Sequence, residues 1–229
     1  GLVSGGNPPD VYFQYGDWLI RRDVAADRAL DLTDYLDEDG WREEFHESSW
    51  ECNRVDGRDY MIPDSIGTTT IIWYNSKLFR DLGMSVPETW DDFVELCREA
   101  KAAGLVPISA GNNEKWPLGN WGAHIVSRVG GEDLYRDVME LKPGTRFANP
   151  DFIKGLTYLH QLVQEGFFNE GVIGLSDEEG QMLFRAEQAL FHPIGAWVID
   201  MFINEVPDLE FDYCLPLGVK PSPSGEVFR

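Results

Sequence analysis

The stretch YMIPDSIGTTTIIWYNSKLF, residues 60–79, contains the signals of a turn, a long strand and the start of a helix. Residues 66–74 are mostly β-branched or aromatic and carry no charge, a pattern typical of a strand buried on both faces in a parallel sheet. Asn75 follows as the expected N-cap of a short helix that ends at Gly83. Because a buried strand passes directly into a helix, the stretch predicts an α/β fold.

The chain beyond this stretch continues to alternate helix and strand signals. Residues 89–92 form an acidic variant of the capping box ahead of a helix, and residues 105–109 predict the next strand. Asn149 and Ser176 mark the starts of two further helices, and residues 189–191 predict a strand after the second of them. The α/β pattern therefore extends over most of the chain.

The charge balance excludes several classes of partner. The 229 residues contain 40 acids and 19 bases, which gives a formal net charge of −21. Nucleic acids and anionic membrane surfaces would repel such a chain. No run of 18 apolar residues occurs, so the sequence predicts no membrane-spanning segment. The chain begins at Gly1, so the lack of a visible signal peptide carries no information about export.

Metal and cofactor signatures are missing from the sequence. The 3 cysteines include no CxxC pair, and Cys97 falls on the apolar side of its predicted helix, as expected for a buried free thiol. In the acidic segment before Gly40, the EF-hand register would place Tyr35 and His46 at ligand positions, which argues against calcium. There is no metalloprotease, nucleophile-elbow, phosphate-loop or dinucleotide motif. We expect no metal, no cofactor and no catalytic residue, although a glycosidase carboxylate pair leaves no sequence signature.

Three ordered motifs resemble a known family. These are DGRDYMIP at residues 56–63, WYNSKLF at residues 73–79 and PETWDDF at residues 87–93. Together they are similar to the extracellular solute-binding proteins of sugar importers, the family 1 group that includes maltose-binding protein. The resemblance implies a two-lobed, periplasmic-binding-protein-like α/β fold of type II, in which strands cross between the lobes at a hinge.

The same resemblance implies a domain division in which the first lobe is incomplete. Residues 1–66 together with 215–229 would form this partial first lobe, and residues 70–211 the second lobe. The hinges would lie near residues 66–70 and 211–215, as two crossing segments side by side.

Flat aromatic rings and planar polar groups are the side chains that bind sugars. Residues 9–13 predict a short strand, and several such side chains follow this strand or the later ones, where open α/β sheets bind ligands. The candidates for ligand binding are Asp17, Trp18, Thr68, Asn112, Asn113, Trp116, Trp121 and Trp197. By the resemblance, Trp197 corresponds to an aromatic residue that stacks on sugar, Asp17 and Trp18 to a polar pair of the first lobe, and Thr68 to the position of a ligand-contacting acid.

The alternative for every tryptophan is core packing, because tryptophan is highly buried on average. This interpretation is favoured for the remaining four: Trp41, Trp50, Trp73 and Trp90.

The resemblance implies that the protein binds a mono- or oligosaccharide in a cleft between the lobes and delivers it to the membrane permease of an ABC importer. Closure about the hinge would trap the ligand. The protein would be a monomer, and it would not be an enzyme. It would be periplasmic or extracellular, and anchored as a lipoprotein in its full-length form. Two alternatives stay open: a non-sugar ligand or presentation to a chemoreceptor, and, from a different class, a carboxylate glycoside hydrolase.

Overall fold

The computed structural model describes residues 9–16, 18–38, 40–51, 53–64 and 67–214. The chain divides into two compact units, Gly1–Ile66 and Gly67–Arg229. The predicted lobe boundaries and hinges stay predictions, and residues 1–8, 17, 39, 52, 65–66 and 215–229 of that division lie outside the described part.

Unit 1 consists of short helices and a hairpin. Its elements are α1 (Trp18–Ala25), α2 (Thr33–Glu38), a 3₁₀ helix (Trp41–Glu44), α3 (Ser48–Glu51), β1 (Arg54–Val55) and β2 (Arg58–Asp59). The hairpin strands are antiparallel, with Arg54 opposite Asp59. The carboxylate of Asp59 is buried and pairs with Arg42 at 2.6 Å and with Arg54 at 3.1 Å. Residues 9–13 contain no strand, so that prediction is wrong.

Unit 2 contains a four-stranded sheet in the order β4-β5-β3-β6. Its elements are β3 (Ile71–Asn75), α4 (Ser76–Leu82), α5 (Trp90–Ala102), β4 (Val106–Ile108), α6 (Trp116–Gly130), α7 (Glu132–Met139), α8 (Pro150–Gln164), α9 (Asp177–Arg185), β5 (Ala189–Ile194), α10 (Val198–Glu205) and β6 (Phe211–Cys214). β4 and β5 are parallel, whereas β3 is antiparallel to both β5 and β6.

The structure corrects the prediction for β3. Residues 66–74 were expected to form a strand in a parallel sheet, but β3 begins at Ile71 and runs antiparallel to both neighbours. The residues before it, 67–69, are exposed and outside the ladder. Burial on both faces is confirmed, because Ile72 packs in one hydrophobic cluster and Trp73 in another.

The helix caps lie where the sequence predicts them. The Asn75 side chain accepts a hydrogen bond from the amide of Leu78 at 2.9 Å, and Gly83 ends α4 with a φ of 66°. Capping boxes begin α5 at Thr89 and α9 at Ser176. These local signals were sufficient because a cap involves residues only two or three positions apart.

Of the three hydrophobic clusters in the described part of unit 2, two contain residues of the sheet. The larger includes Phe93, Trp121 and Leu162 from α5, α6 and α8, and it contains the buried thiol of Cys97. The smaller includes Phe184 and Phe202 from α9 and α10.

Three of the four tryptophans expected in the core are buried, and the fourth is exposed. Trp50, Trp73 and Trp90 are buried, whereas Trp41 is 41% exposed and stacks on Phe45.

Candidate functional site

Two exposed tryptophans meet at the end of the parallel strands of unit 2. Trp116 begins α6, after β4, and Trp197 lies between β5 and α10. Their ring centroids are 5.7 Å apart at an interplanar angle of 60°, and the residues are 38% and 47% exposed. Because β4 and β5 are parallel, their carboxyl ends lie at the same edge of the sheet. Topology therefore brings these two rings together, and with Thr68 we call them the tryptophan site.

Gly195 determines where the Trp197 ring can lie. A Cβ atom at this glycine would be 1.9 Å from Cζ3 of Trp197, far inside contact distance. The next residue, Ala196, donates its amide hydrogen to the carbonyl oxygen of Thr68 at 2.9 Å. This main-chain hydrogen bond places Thr68 beside Trp197. Thr68 is itself exposed.

The loop between β4 and α6 is held by its main chain and by one amide side chain. Asn112 donates its amide hydrogen to the carbonyl of Val172 at 2.8 Å, and its Oδ1 accepts one from the amide of Leu118 at 3.1 Å. This side chain therefore fixes the start of α6, while the exposed Asn113 is bound through its main chain to Leu175 at 2.9 Å. Of the two predicted amides, Asn113 has the side chain available to a solute.

Trp121 is a core residue, so the prediction that it binds ligand is wrong. It is 1% exposed and packs edge-on against Phe93 and Phe168, with centroid distances of 6.3 and 5.8 Å. Trp121 was expected at the end of the strand predicted at residues 105–109, but α6 already begins at Trp116, so Trp121 lies inside a helix. In the helix, Trp121 lies one turn before the buried Ile125 and faces the core with it.

Two of the predicted ligand-binding residues, Asp17 and Trp18, belong to unit 1. Trp18 is the first residue of α1 and is 64% exposed. The guanidinium carbon of Arg22, one turn later, lies 5.7 Å from the centroid of its ring. Asp17 lies outside the described residues.

An acidic group next to the loop was missed by the sequence reasoning. The amide of Asp177, at the start of α9, donates to Oε2 of Glu114 at 3.2 Å, and the Asp177 carboxylate accepts a hydrogen bond from Gln181 at 2.8 Å. Burial raises the pKa of Asp177; the Gln181 hydrogen bond opposes this rise, and the charge of Glu114 adds to it. The sequence signal was the Ser176 cap, which places Asp177 in the first turn of a helix.

A buried histidine lies in β5, the strand that leads to Trp197. His192 of β5 is 1% exposed, and its Nδ1 donates to the carbonyl of Ser109 at 2.8 Å. Burial lowers its pKa to about 4, which that hydrogen bond only partly opposes. A neutral, fully enclosed imidazole of this kind supports the strand and does not contact solutes.

Within the described ranges, no group of three or more His, Cys, Asp or Glu side chains could hold a metal ion. None of the helices in the described part of the chain is long and apolar enough to cross a membrane.

Comparison with known proteins places these features in a family. The family model of the bacterial extracellular solute-binding proteins matches residues 2–224. The chain is 28% identical over 221 residues to an uncharacterized ABC transporter extracellular-binding protein of Pyrococcus horikoshii, covering 95% of this chain and 49% of that one. It is also 28% identical over 166 residues to the multiple sugar-binding protein of Streptococcus mutans, covering 69% and 38% of the two chains.

A solved structure agrees with these relatives. A chitin oligosaccharide binding protein is 25% identical and superposes with a TM-score of 0.81 over 95% of this chain and 54% of that one. The predicted fold class is confirmed. The chain spans about half the length of the proteins it matches, which agrees with the prediction of a partial first lobe.

Proposed function

The chain belongs to the bacterial extracellular solute-binding protein family, and we propose that it binds a mono- or oligosaccharide at the tryptophan site. The observation that carries the proposal is the pair of exposed, contacting indole rings of Trp116 and Trp197 at the end of the parallel strands. Flat aromatic faces bury the C–H face of a pyranose, and neighbouring polar groups bond its hydroxyls. Asn113 and Thr68 supply such groups here.

The energy available from two rings is sufficient for useful affinity. Burying about 100 Å² on each ring at ~25 cal/mol/Å² contributes roughly 2.5 kcal/mol per platform before ordering costs. Two platforms and several hydrogen bonds then approach the ~8 kcal/mol of a micromolar complex. Because Trp116 and Trp197 also cover part of each other, their contributions should not be additive.

The relatives support sugar as the ligand class. The Streptococcus mutans protein is named a multiple sugar-binding protein, and the solved structure is that of a chitin oligosaccharide binding protein. We propose on this basis that the whole protein is periplasmic or extracellular and that its full-length form is anchored to the membrane as a lipoprotein. There it would deliver sugar, as a monomer, to the permease of an ABC importer.

We further propose that the protein is not an enzyme. Its family is that of the extracellular solute-binding proteins, and the Pyrococcus horikoshii relative is named an ABC transporter extracellular-binding protein. Binding would be coupled to closure about the hinge, because a ligand that contacts both lobes only in the closed form shifts the population towards that form.

A thermal-shift screen of the chain against mono- and oligosaccharides tests the proposal, since a ligand that binds only the native state raises the melting temperature. The panel should include glucose, maltotriose, chitotriose, xylotriose and raffinose. We expect at least one sugar to raise the melting temperature of the wild type and to be recovered chemically unchanged. Release of sugar product, abolished by replacing one carboxylate, would instead support the hydrolase alternative.

A further inference from the structure

We propose that Asp23 is a positioning residue that fixes the ring of Trp18 and the segment before it for ligand binding in unit 1. That a sugar binds against Trp18 rests on the proposed function. The positioning of the Trp18 ring by Asp23 does not. Asp23 belongs to α1, and its side chain is 1% exposed although the helix lies at the surface. A buried carboxylate is costly unless several donors satisfy it.

The first Asp23 oxygen holds Arg22. Nε and Nη2 of Arg22 each lie 3.1 Å from Oδ1 of Asp23, so two donors of the same guanidinium share one acceptor. This arrangement fixes the plane of a side chain that is otherwise 55% exposed. The guanidinium carbon then lies 5.7 Å from the ring centroid of Trp18, within the range of a cation–π interaction. Arg22 therefore restricts the orientation of the indole ring.

The second Asp23 oxygen holds the segment before the helix. Oδ2 accepts hydrogen bonds from Nε2 of Gln14 at 3.0 Å and from Oη of Tyr12 at 3.3 Å. In turn, Oε1 of Gln14 accepts a hydrogen bond from the main-chain amide of Tyr15 at 3.1 Å. One carboxylate thus connects the segment 12–15 to the helix that begins at Trp18.

Apolar burial does not anchor this segment. Val11, Phe13 and Tyr15 are 87%, 69% and 70% exposed. The segment is therefore held mainly through polar contacts, of which those to Asp23 are charge-assisted. Burial raises the pKa of Asp23, but the hydrogen bonds from Gln14, Arg22 and Tyr12 outweigh it, so the pKa lies below its ordinary value. These hydrogen bonds therefore favour the ionised form of the carboxylate.

The test uses chain labelled with 5-fluorotryptophan, in which the Trp18 resonance is assigned as the one missing from Trp18→Phe. Asp23→Asn keeps the shape of the side chain and removes its charge. We expect the Trp18 resonance to shift and broaden in this variant. Asp27→Asn is the matched control, because it makes the same change of charge at an exposed residue just after α1. A Trp18 resonance unchanged in Asp23→Asn would overturn the proposal.

A second pair of variants keeps the test decisive if Asp23→Asn fails to fold. Arg22→Ala removes the cation next to the ring at a side chain that is half exposed, and Arg21→Ala is its neighbour on the exposed surface. The Trp18 resonance should move in Arg22→Ala and stay in place in Arg21→Ala. Equal spectra for these two variants would likewise contradict the assignment.

Titration with chitotriose, or with the panel sugar that gives the largest thermal shift, separates this inference from the proposed function. Loss of charge-assisted contacts should weaken binding by roughly tenfold when Asp23→Asn is made in the wild type, and by less than that when it is made in Trp18→Ala, because part of the effect acts through this ring. An equal loss of affinity from Asp23→Asn in the wild type and in Trp18→Ala would show independent effects and would overturn the positioning role. A wild type that binds no sugar of the panel would contradict the proposed function, and the fluorine resonance alone then decides the role of Asp23.

Discussion

The indole ring of Trp197 lies so close to Gly195 that a Cβ atom at that glycine would be 1.9 Å from Cζ3 of the ring. No φ in the left-handed region is involved, so the requirement for glycine at this position is one of space. The ring rests on the main chain that leads from β5 into α10. Its position is therefore determined by a residue that would not itself need to touch a ligand.

Gly195→Ala should displace the Trp197 ring and weaken sugar binding by about tenfold, roughly 1.4 kcal/mol. The fold should persist, because Trp197 is 47% exposed and can move into solvent. Titration calorimetry with the best sugar of the thermal-shift screen measures the loss. Gly174→Ala is the control, since an added Cβ there would meet its nearest atom at an ordinary 3.8 Å. Equal affinities for the two variants would show that the ring position does not matter.

Trp197→Ala should reduce the affinity for sugar by roughly 2 kcal/mol, or about thirtyfold, with little change in stability. Trp121→Ala should instead lower the stability and leave the affinity of the folded protein unchanged, because a cavity in the core costs ~3–5 kcal/mol of unfolding free energy. Denaturant melts and titrations of both variants provide the comparison. A large loss of stability in Trp197→Ala, with unchanged affinity in the folded fraction, would assign that ring to the core.

Acidification should destabilise unit 2 through His192. Its native pKa of about 4 lies below its ordinary value of 6.5, so the unfolded chain binds more protons between these two pH values. The neutral imidazole contributes its full stability above pH 6.5 and loses it, at up to ~1.4 kcal/mol per pH unit, as the pH falls towards 4.

His192→Asn keeps a donor for the Ser109 carbonyl and removes the titration, so its stability should depend less on pH in that range. Denaturant melts at several pH values give the slope. The control is His160→Asn, at an exposed position of α8. A slope for His192→Asn as steep as that of the wild type would exclude His192 as the source.

The net charge of −21 predicts that stability rises with salt, because like charges repel one another across the folded surface. Melting temperatures should increase between low and molar potassium chloride. Some exposed ion pairs, such as Lys77–Asp81 at 3.6 Å, will weaken at the same time, but each contributes little. A flat or falling series would show that repulsion between surface carboxylates does not limit the stability of the fold.

The sequence was sufficient for features that depend on nearby residues. The cap at Asn75 and the capping boxes of α5 and α9 were predicted because each involves a side chain and an amide within one turn. The buried character of β3 followed from its composition, and the alternation of Ile72 and Trp73 between two clusters agrees with strand periodicity.

Strand direction and helical phase were not predictable in the same way. The direction of β3 depends on β5 and β6, which are distant in sequence, and no local pattern distinguishes a parallel from an antiparallel neighbour here. Trp116 and Trp121 looked equivalent in the sequence because both follow the strand predicted at residues 105–109. The spacing of Trp121 to Ile125 was the available signal, because it places both on one side of α6.

Calorimetric titration of the wild type and of the double variant Trp116→Ala/Trp197→Ala tests the central claim most directly. With the best sugar of the screen, we expect a wild-type Kd on the order of micromolar and at least ~100-fold weaker binding in the double variant. Trp41→Ala, which removes a tryptophan of unit 1 that is 41% exposed, should bind like the wild type. Wild-type affinity in the double variant, or no binding of any sugar by the wild type, would contradict a sugar site at these two rings.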